Sequence, residues 1–321
     1  MSAPSPTRRP VEGDEGDEAP AGGPLPTLRS GVLLALSLTL LVWLWRRVGG
    51  EALVDLLRGL DPLWLSVALA LFVPTTGVAA WRWRVVAADV RVLGFGEALG
   101  MVLAASAANL FLPAKLGDVG KGAFLGAGRT EGLALAFFEK LADVAALAAW
   151  MTVACLAFPP LREVEELAFT IGLGIVSAFV VLCLVPLGGL ADRVEGGPVG
   201  RALRGVALLR GHPRRFAAVL LGSLALWGLH LLQFQCAAWA AGATVSPAFL
   251  ASRIPMAIFV GLVPVSFAGI GARDAALLYL LGPFVGEPVA LALGGFATLR
   301  YLVPAAAGAF AIGRFRPSRA G

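Results

Sequence analysis

Ten ionisable residues lie within or beside apolar stretches, and they are the groups able to do chemistry. Six are basic, Lys115, Lys121, Lys140, Arg253, Arg273 and Arg300, and four are acidic, Asp118, Glu139, Asp143 and Asp274, a balance of +2. Glu139 and Asp143 are four residues apart, which puts both carboxylates on one face of a helix, and Lys140, three before Asp143, can pair with a carboxylate there. Such a carboxylate could act as a general base, whereas a net positive set suits an anionic ligand. Other chemistries lack residues: there is no HExxH, no GxSxG and no glycine-rich phosphate loop after a strand. Cys155, Cys183 and Cys236 all fall in apolar runs, and neither His212 nor His230 has a metal-ligand neighbour at workable spacing.

The elements that must position these charges follow from composition. The chain has 321 residues, 58% hydrophobic and 15% charged, with mean hydropathy +0.81. Soluble domains are about a quarter charged, so this chain cannot coat a water-soluble globule and reads as an all-α polytopic membrane protein. Apolar runs occur at about 31–48, 63–81, 93–112, 133–158, 167–187, 216–241, 249–264, 271–286 and 288–312. Roughly 20 residues cross a ~30 Å hydrocarbon core, so most can span. Residues 1–30, rich in Pro, Gly and acids, are expected to be a disordered cytoplasmic tail, 31–312 one transmembrane domain, and 313–321 a basic cytoplasmic tail.

Two regions interrupt this pattern. In the first, Pro113, Gly117 and Gly120 stand beside Lys115, Asp118 and Lys121; in the second, Pro264, Gly269 and Gly271 stand beside Arg273 and Asp274. Broken backbone is tolerated at membrane depth only where protein or water satisfies it, so each reads as a re-entrant hairpin or broken helix, the alternative being a short extramembrane loop. The expected count is about six transmembrane helices plus two hairpins, or eight or nine segments if the hairpins span. The Arg-rich segment 188–215 marks the cytoplasmic side, which places Arg82, Arg84, Arg91, Arg129 and both termini inside and the acidic connections near Glu51 and Glu163 outside. Three spans between the hairpins would invert the second relative to the first, giving inverted repeats that pair interrupted segments at a midplane site.

Charges at the bilayer centre cost about 2.5–3.5 kcal/mol each on insertion scales, so this set is not expected to be idle. Two readings remain open for Glu139, Lys140 and Asp143: an ion-pair network tying helices together, or a transport role. Arg273 and Asp274 either neutralise each other at a helix start or contact ligand, and Arg253 is expected to snorkel to an interface. Trp43, Trp45, Trp64, Trp81 and Trp83 read as an interfacial belt.

At these residues the sequence resembles the transmembrane, flippase-like region of lysylphosphatidylglycerol synthases and related stand-alone membrane proteins. The likeness rests on Arg82-Trp-Arg84, on Asn109 with Pro113 to Asp118 and Lys121, on Glu139 to Asp143, and on Pro264 with Ala268 to Asp274 followed by Arg300. The family usually shows Arg where this chain has Lys121 and Lys140, glycine at Ala268 and Glu at Asp274; charge is kept, but Lys lacks the bidentate fork of Arg. The resemblance implies a lipid translocator of the cell membrane, moving an anionic or aminoacylated phospholipid between leaflets. A substrate-binding or gating set of Asn109, Lys115, Asp118, Lys121, Glu139, Lys140, Asp143, Arg273, Asp274 and Arg300 is expected. With no room for a synthase domain before Gly321, neither an enzymatic activity nor a cofactor is expected. Alternatives are a polyprenyl-phosphate carrier translocase and a non-catalytic scaffold for a lipid-synthesis enzyme. Partners would be the membrane lipid itself, a second copy or such an enzyme, and not nucleic acid.

Overall fold

The computed structural model describes residues 24–110, 117–157, 163–185, 197–263 and 269–311, and every regular element among them is a helix. Pro113, Lys115, Pro264 and the chain ends lie outside the described residues. The helices are α1 (Pro24–Val48), α2 (Gly50–Arg58), α3 (Pro62–Ala70), α4 (Phe72–Ala87), α5 (Phe95–Ala108), the short α6 (Gly117–Gly120) and a 3₁₀ turn (Lys121–Gly128). They continue as α7 (Arg129–Leu156), α8 (Glu163–Leu184), α9 (Gly197–Arg210), α10 (Pro213–Ala240), α11 (Pro247–Leu262), α12 (Ala272–Val285) and α13 (Glu287–Ala311).

Helix starts are written locally. Pro62 follows Asp61, whose carboxylate accepts from the Leu63 and Trp64 amides at 2.8 and 3.2 Å, and Pro247 follows Ser246, which accepts from Phe249. Lengths then separate two classes of helix. The joined α3 and α4, α8, α10 and α13 are long and apolar enough to cross a membrane. α1 and α7, at 25 and 28 residues, also have the length, but α7 carries Glu131, Glu139, Lys140 and Asp143. α5, α11 and α12, at 14, 16 and 14 residues, fall short of the ~20 needed. The short helices flank the two interrupted regions, although a four-residue helix and a 3₁₀ turn follow the first break and a full α12 the second.

α7 is the centre of the bundle, packed by α8, α9, α10 and α11, while α13 lies along α5 and α12. Outward faces carry Val73, Leu167, Val181, Leu221 and Phe310, apolar surface that lipid solvates. Lipid tails are as apolar as leucine, so close van der Waals fit holds the helices together laterally. Gly308 shows this: a β-carbon there would stand 1.8 Å from the Leu103 carbonyl oxygen, and its absence lets α13 lie against α5. A β-carbon on Gly122 would stand 2.2 Å from the Gly132 carbonyl oxygen, so the 3₁₀ turn folds directly onto the start of α7.

Several expectations are corrected. Helix α1 begins at Pro24, inside the stretch read as tail. Segment 188–215 contains α9, whose Ala202, Leu203, Val206 and Leu209 are buried on α7, with Arg201 and Arg204 half-buried and Arg210 exposed; a period-3.6 stripe was hidden by the charge density. The helix read as ending near 81 continues to Ala87, and Arg82 is a buried residue of the bundle. Trp83 is wholly buried, its indole donating to the Met101 sulfur at 3.4 Å, and is no part of an interfacial belt. Arg253 does not snorkel: it is buried against the Phe249 and Phe284 rings and paired with Glu165 in the first turn of α8.

Candidate functional site

Between the two main apolar clusters of the bundle lies a cavity of about 160 Å³. Holding one water takes ~10–15 Å³ on this scale, so there is room for on the order of ten waters or a small polar group. α4 contributes Phe72, Thr75, Thr76, Ala79 and Arg82; α7 contributes Ala136, Glu139, Lys140 and Asp143. Asn109, Asp118 and Lys121 enter from the first interrupted region, Trp227 and His230 from α10, and Arg300 and Tyr301 from α13.

Its charges form a lattice. The Arg82 guanidinium donates to Glu139 Oε1 at 2.8 Å, forks onto both oxygens of Asp143, and reaches Ser223 Oγ at 2.7 Å. The second oxygen of Glu139 is ion-paired with Lys121, whose ammonium lies 4.6 Å from the centre of the Trp83 ring. Lys140 donates to Asp118 Oδ2 at 2.7 Å, and Asn109 donates to Asp118 Oδ1 at 2.7 Å while accepting from the Asp118 amide. Two crossed pairs therefore join the segment 118–121 to residues 139–140 of α7: acid to base, then base to acid. Buried charges survive only when paired in this way, because each isolated ion would bear its full desolvation cost.

Arg300 differs. It is 6% exposed and lines the cavity, and among the described residues no carboxylate or other acceptor meets it. Its guanidinium carbon lies 5.8 Å from the Trp227 ring centre and 5.0 Å from that of Phe234. The ring electrons give partial compensation.

Of the ten residues expected at a site, Asn109, Asp118, Lys121, Glu139, Lys140, Asp143 and Arg300 line this one cavity, and Lys115 lies outside the described residues. Arg273 and Asp274 do not line it. Arg273 donates to Asp274 at 2.6 Å, to the Gly294 carbonyl at 3.0 Å and to Thr298 Oγ1 at 2.8 Å, and Asp274 in turn accepts from the Gly271 amide at the start of α12. That pair clamps α12 to α13 and reaches the edge of the site at Tyr301, whose ring centre lies 5.8 Å from the Arg273 guanidinium. Sequence reasoning missed Arg82 as a site residue, and with it Trp227, His230 and Tyr301. Arg82 had a signal, since an 18-residue window within 62–87 stays apolar enough to span. The other three carry no charge pattern, and only the packing of α10 and α13 brings them in.

Among the described residues no group of three or more His, Cys, Asp or Glu is placed to hold a metal. The family model described as the lysylphosphatidylglycerol synthase TM region matches residues 31–308. No curated protein matches the chain.

Proposed function

Taking as premise that the chain belongs to the lysylphosphatidylglycerol synthase TM-region family, we propose that it is a lipid translocator. A phospholipid headgroup enters the charged cavity and the acyl chains stay in the surrounding bilayer. The observation that supports this most directly is a polar cavity with four cations and three carboxylates in a bundle whose outer faces are apolar. Such a site offers a headgroup replacement hydration at a depth where water is scarce. The interrupted first segment, with Asp118 and Lys121 in crossed pairs to α7, is the natural moving part. A cavity that bound headgroup equally in both facing states would shift no population, so those pairs must break and re-form as the site changes sides.

The test is leaflet-resolved. Full-length protein in vesicles containing an acyl-labelled fluorescent phosphatidylglycerol should equilibrate label between leaflets, with the lipid recovered chemically unchanged, and Lys121→Gln should reduce the rate to that of empty vesicles. A parent rate equal to that of empty vesicles would remove the proposal and favour a scaffold for a lipid-synthesis enzyme, in which the ion pairs are purely structural.

A further inference from the structure

Every carboxylate of the cavity is already occupied. Asp118 is held by Lys140 and Asn109, Glu139 by Arg82 and Lys121, and Asp143 by both terminal nitrogens of Arg82. Among the described lining residues one positive charge is left over, and it is Arg300. Beside it, the Arg300 Nε and the Trp227 indole Nε1 are both enclosed and both lack an acceptor. Two buried donors on one wall, one of them cationic, leave desolvation uncompensated unless something else supplies oxygen atoms.

We propose that Arg300 and the Trp227 indole form an oxyanion subsite that admits a phosphodiester headgroup of single negative charge and disfavours aminoacylated, cationic headgroups. The proposal rests on the lipid reading above and narrows it. A phosphodiester brings one charge and several acceptor oxygens, matching one guanidinium and one indole N–H. An aminoacylated headgroup brings ammonium groups as well, and they would find no free carboxylate here. A doubly charged phosphomonoester would exceed the single spare cation.

The experiment uses the detergent-solubilised full chain and follows its melting temperature with four probes: dihexanoyl-phosphatidylglycerol, its lysyl ester, dihexanoyl-phosphatidylcholine, and water-soluble glycerophosphoglycerol. The first should raise the melting temperature, whereas the lysyl ester and the choline lipid should not. A shift with glycerophosphoglycerol as well would identify the headgroup alone as sufficient, and its absence would assign the contact to the lipid. Arg300→Gln should weaken binding of the dihexanoyl-phosphatidylglycerol roughly thirtyfold or more. Arg300→Lys, which keeps the charge and loses the fork, should bind more weakly than the parent and preserve the order of the probes. Removing an uncompensated buried cation should leave the lipid-free Arg300→Gln protein melting at or above the parent, and a fall would mark a structural role and overturn the subsite. Equal shifts with the lysyl ester or the choline lipid, or an undiminished shift in Arg300→Gln, would also overturn it. Selective binding without redistribution in vesicles removes the translocator and leaves the subsite; redistribution of all the lipids at one rate does the reverse.

Discussion

Arg82 and Arg273 are both buried guanidiniums, and their partners decide what losing each should do. Arg82 neutralises two carboxylates on α7, so Arg82→Gln strands Asp143 and leaves Glu139 with Lys121 alone, in a place where water is scarce. Breaking a buried pair by removing one partner costs about 3–5 kcal/mol. Arg82→Gln should therefore lower thermal stability markedly, and the double variant Arg82→Gln with Asp143→Asn should recover part of it; a double variant no more stable than the single one would contradict the pairing. Arg273→Gln is expected to loosen α12 from α13, because Arg273 bridges Asp274, Gly294 and Thr298. Its signature is a lower melting temperature with probe preference unchanged, read in the same melting series.

For the elements, the crossed pairs between 118–121 and α7 make a sharper prediction. Asp118→Asn leaves Lys140 without its ion-pair partner, and Lys140→Gln removes the other half. If the pair is one contact that opens and closes, exchanging the charges, Asp118→Lys with Lys140→Asp, should restore activity that each single reversal abolishes, scored by leaflet redistribution in vesicles. Independent effects of the two reversals would mean that the residues act separately. Gly308 offers a packing test on α13, the helix that carries Arg300. Gly308→Val places a side chain where a β-carbon would already stand 1.8 Å from the Leu103 carbonyl, so α13 must move off α5. Melting should fall, and lipid selectivity should fall with it because the Arg300 wall shifts.

The whole molecule must be oriented as well as folded. The arginines of α9 and the start of α10 predict that this face is cytoplasmic. Gly205 packs on the Ala134 carbonyl and is closed to a probe, but Ala207 is exposed on α9. In a background with Cys155, Cys183 and Cys236 replaced, Ala207→Cys should resist an impermeant thiol reagent in intact cells and react after lysis. Reaction in intact cells would invert the topology.

Much of this architecture is legible in the sequence, because hydropathy and broken-helix chemistry are properties of consecutive residues. The apolar runs foretell the long helices, Pro and Gly beside charges mark the stretches before which α5 and α11 stop, and the spacing of Glu139, Lys140 and Asp143 places them on one helix. Partners separated along the chain follow a different rule. Nothing local pairs Arg82 with a carboxylate 57 residues on, or Arg253 with Glu165 88 residues back. Charge type in the sequence therefore determines that ion pairs must form, since an unpaired ion in lipid is too costly. Which ion goes without a partner is settled only by helix packing: α7 brings acids to Arg82 and Lys121, α6 brings Asp118 to Lys140, and α13 brings Arg300 to a wall of aromatic rings where, among the described residues, no carboxylate pairs with it.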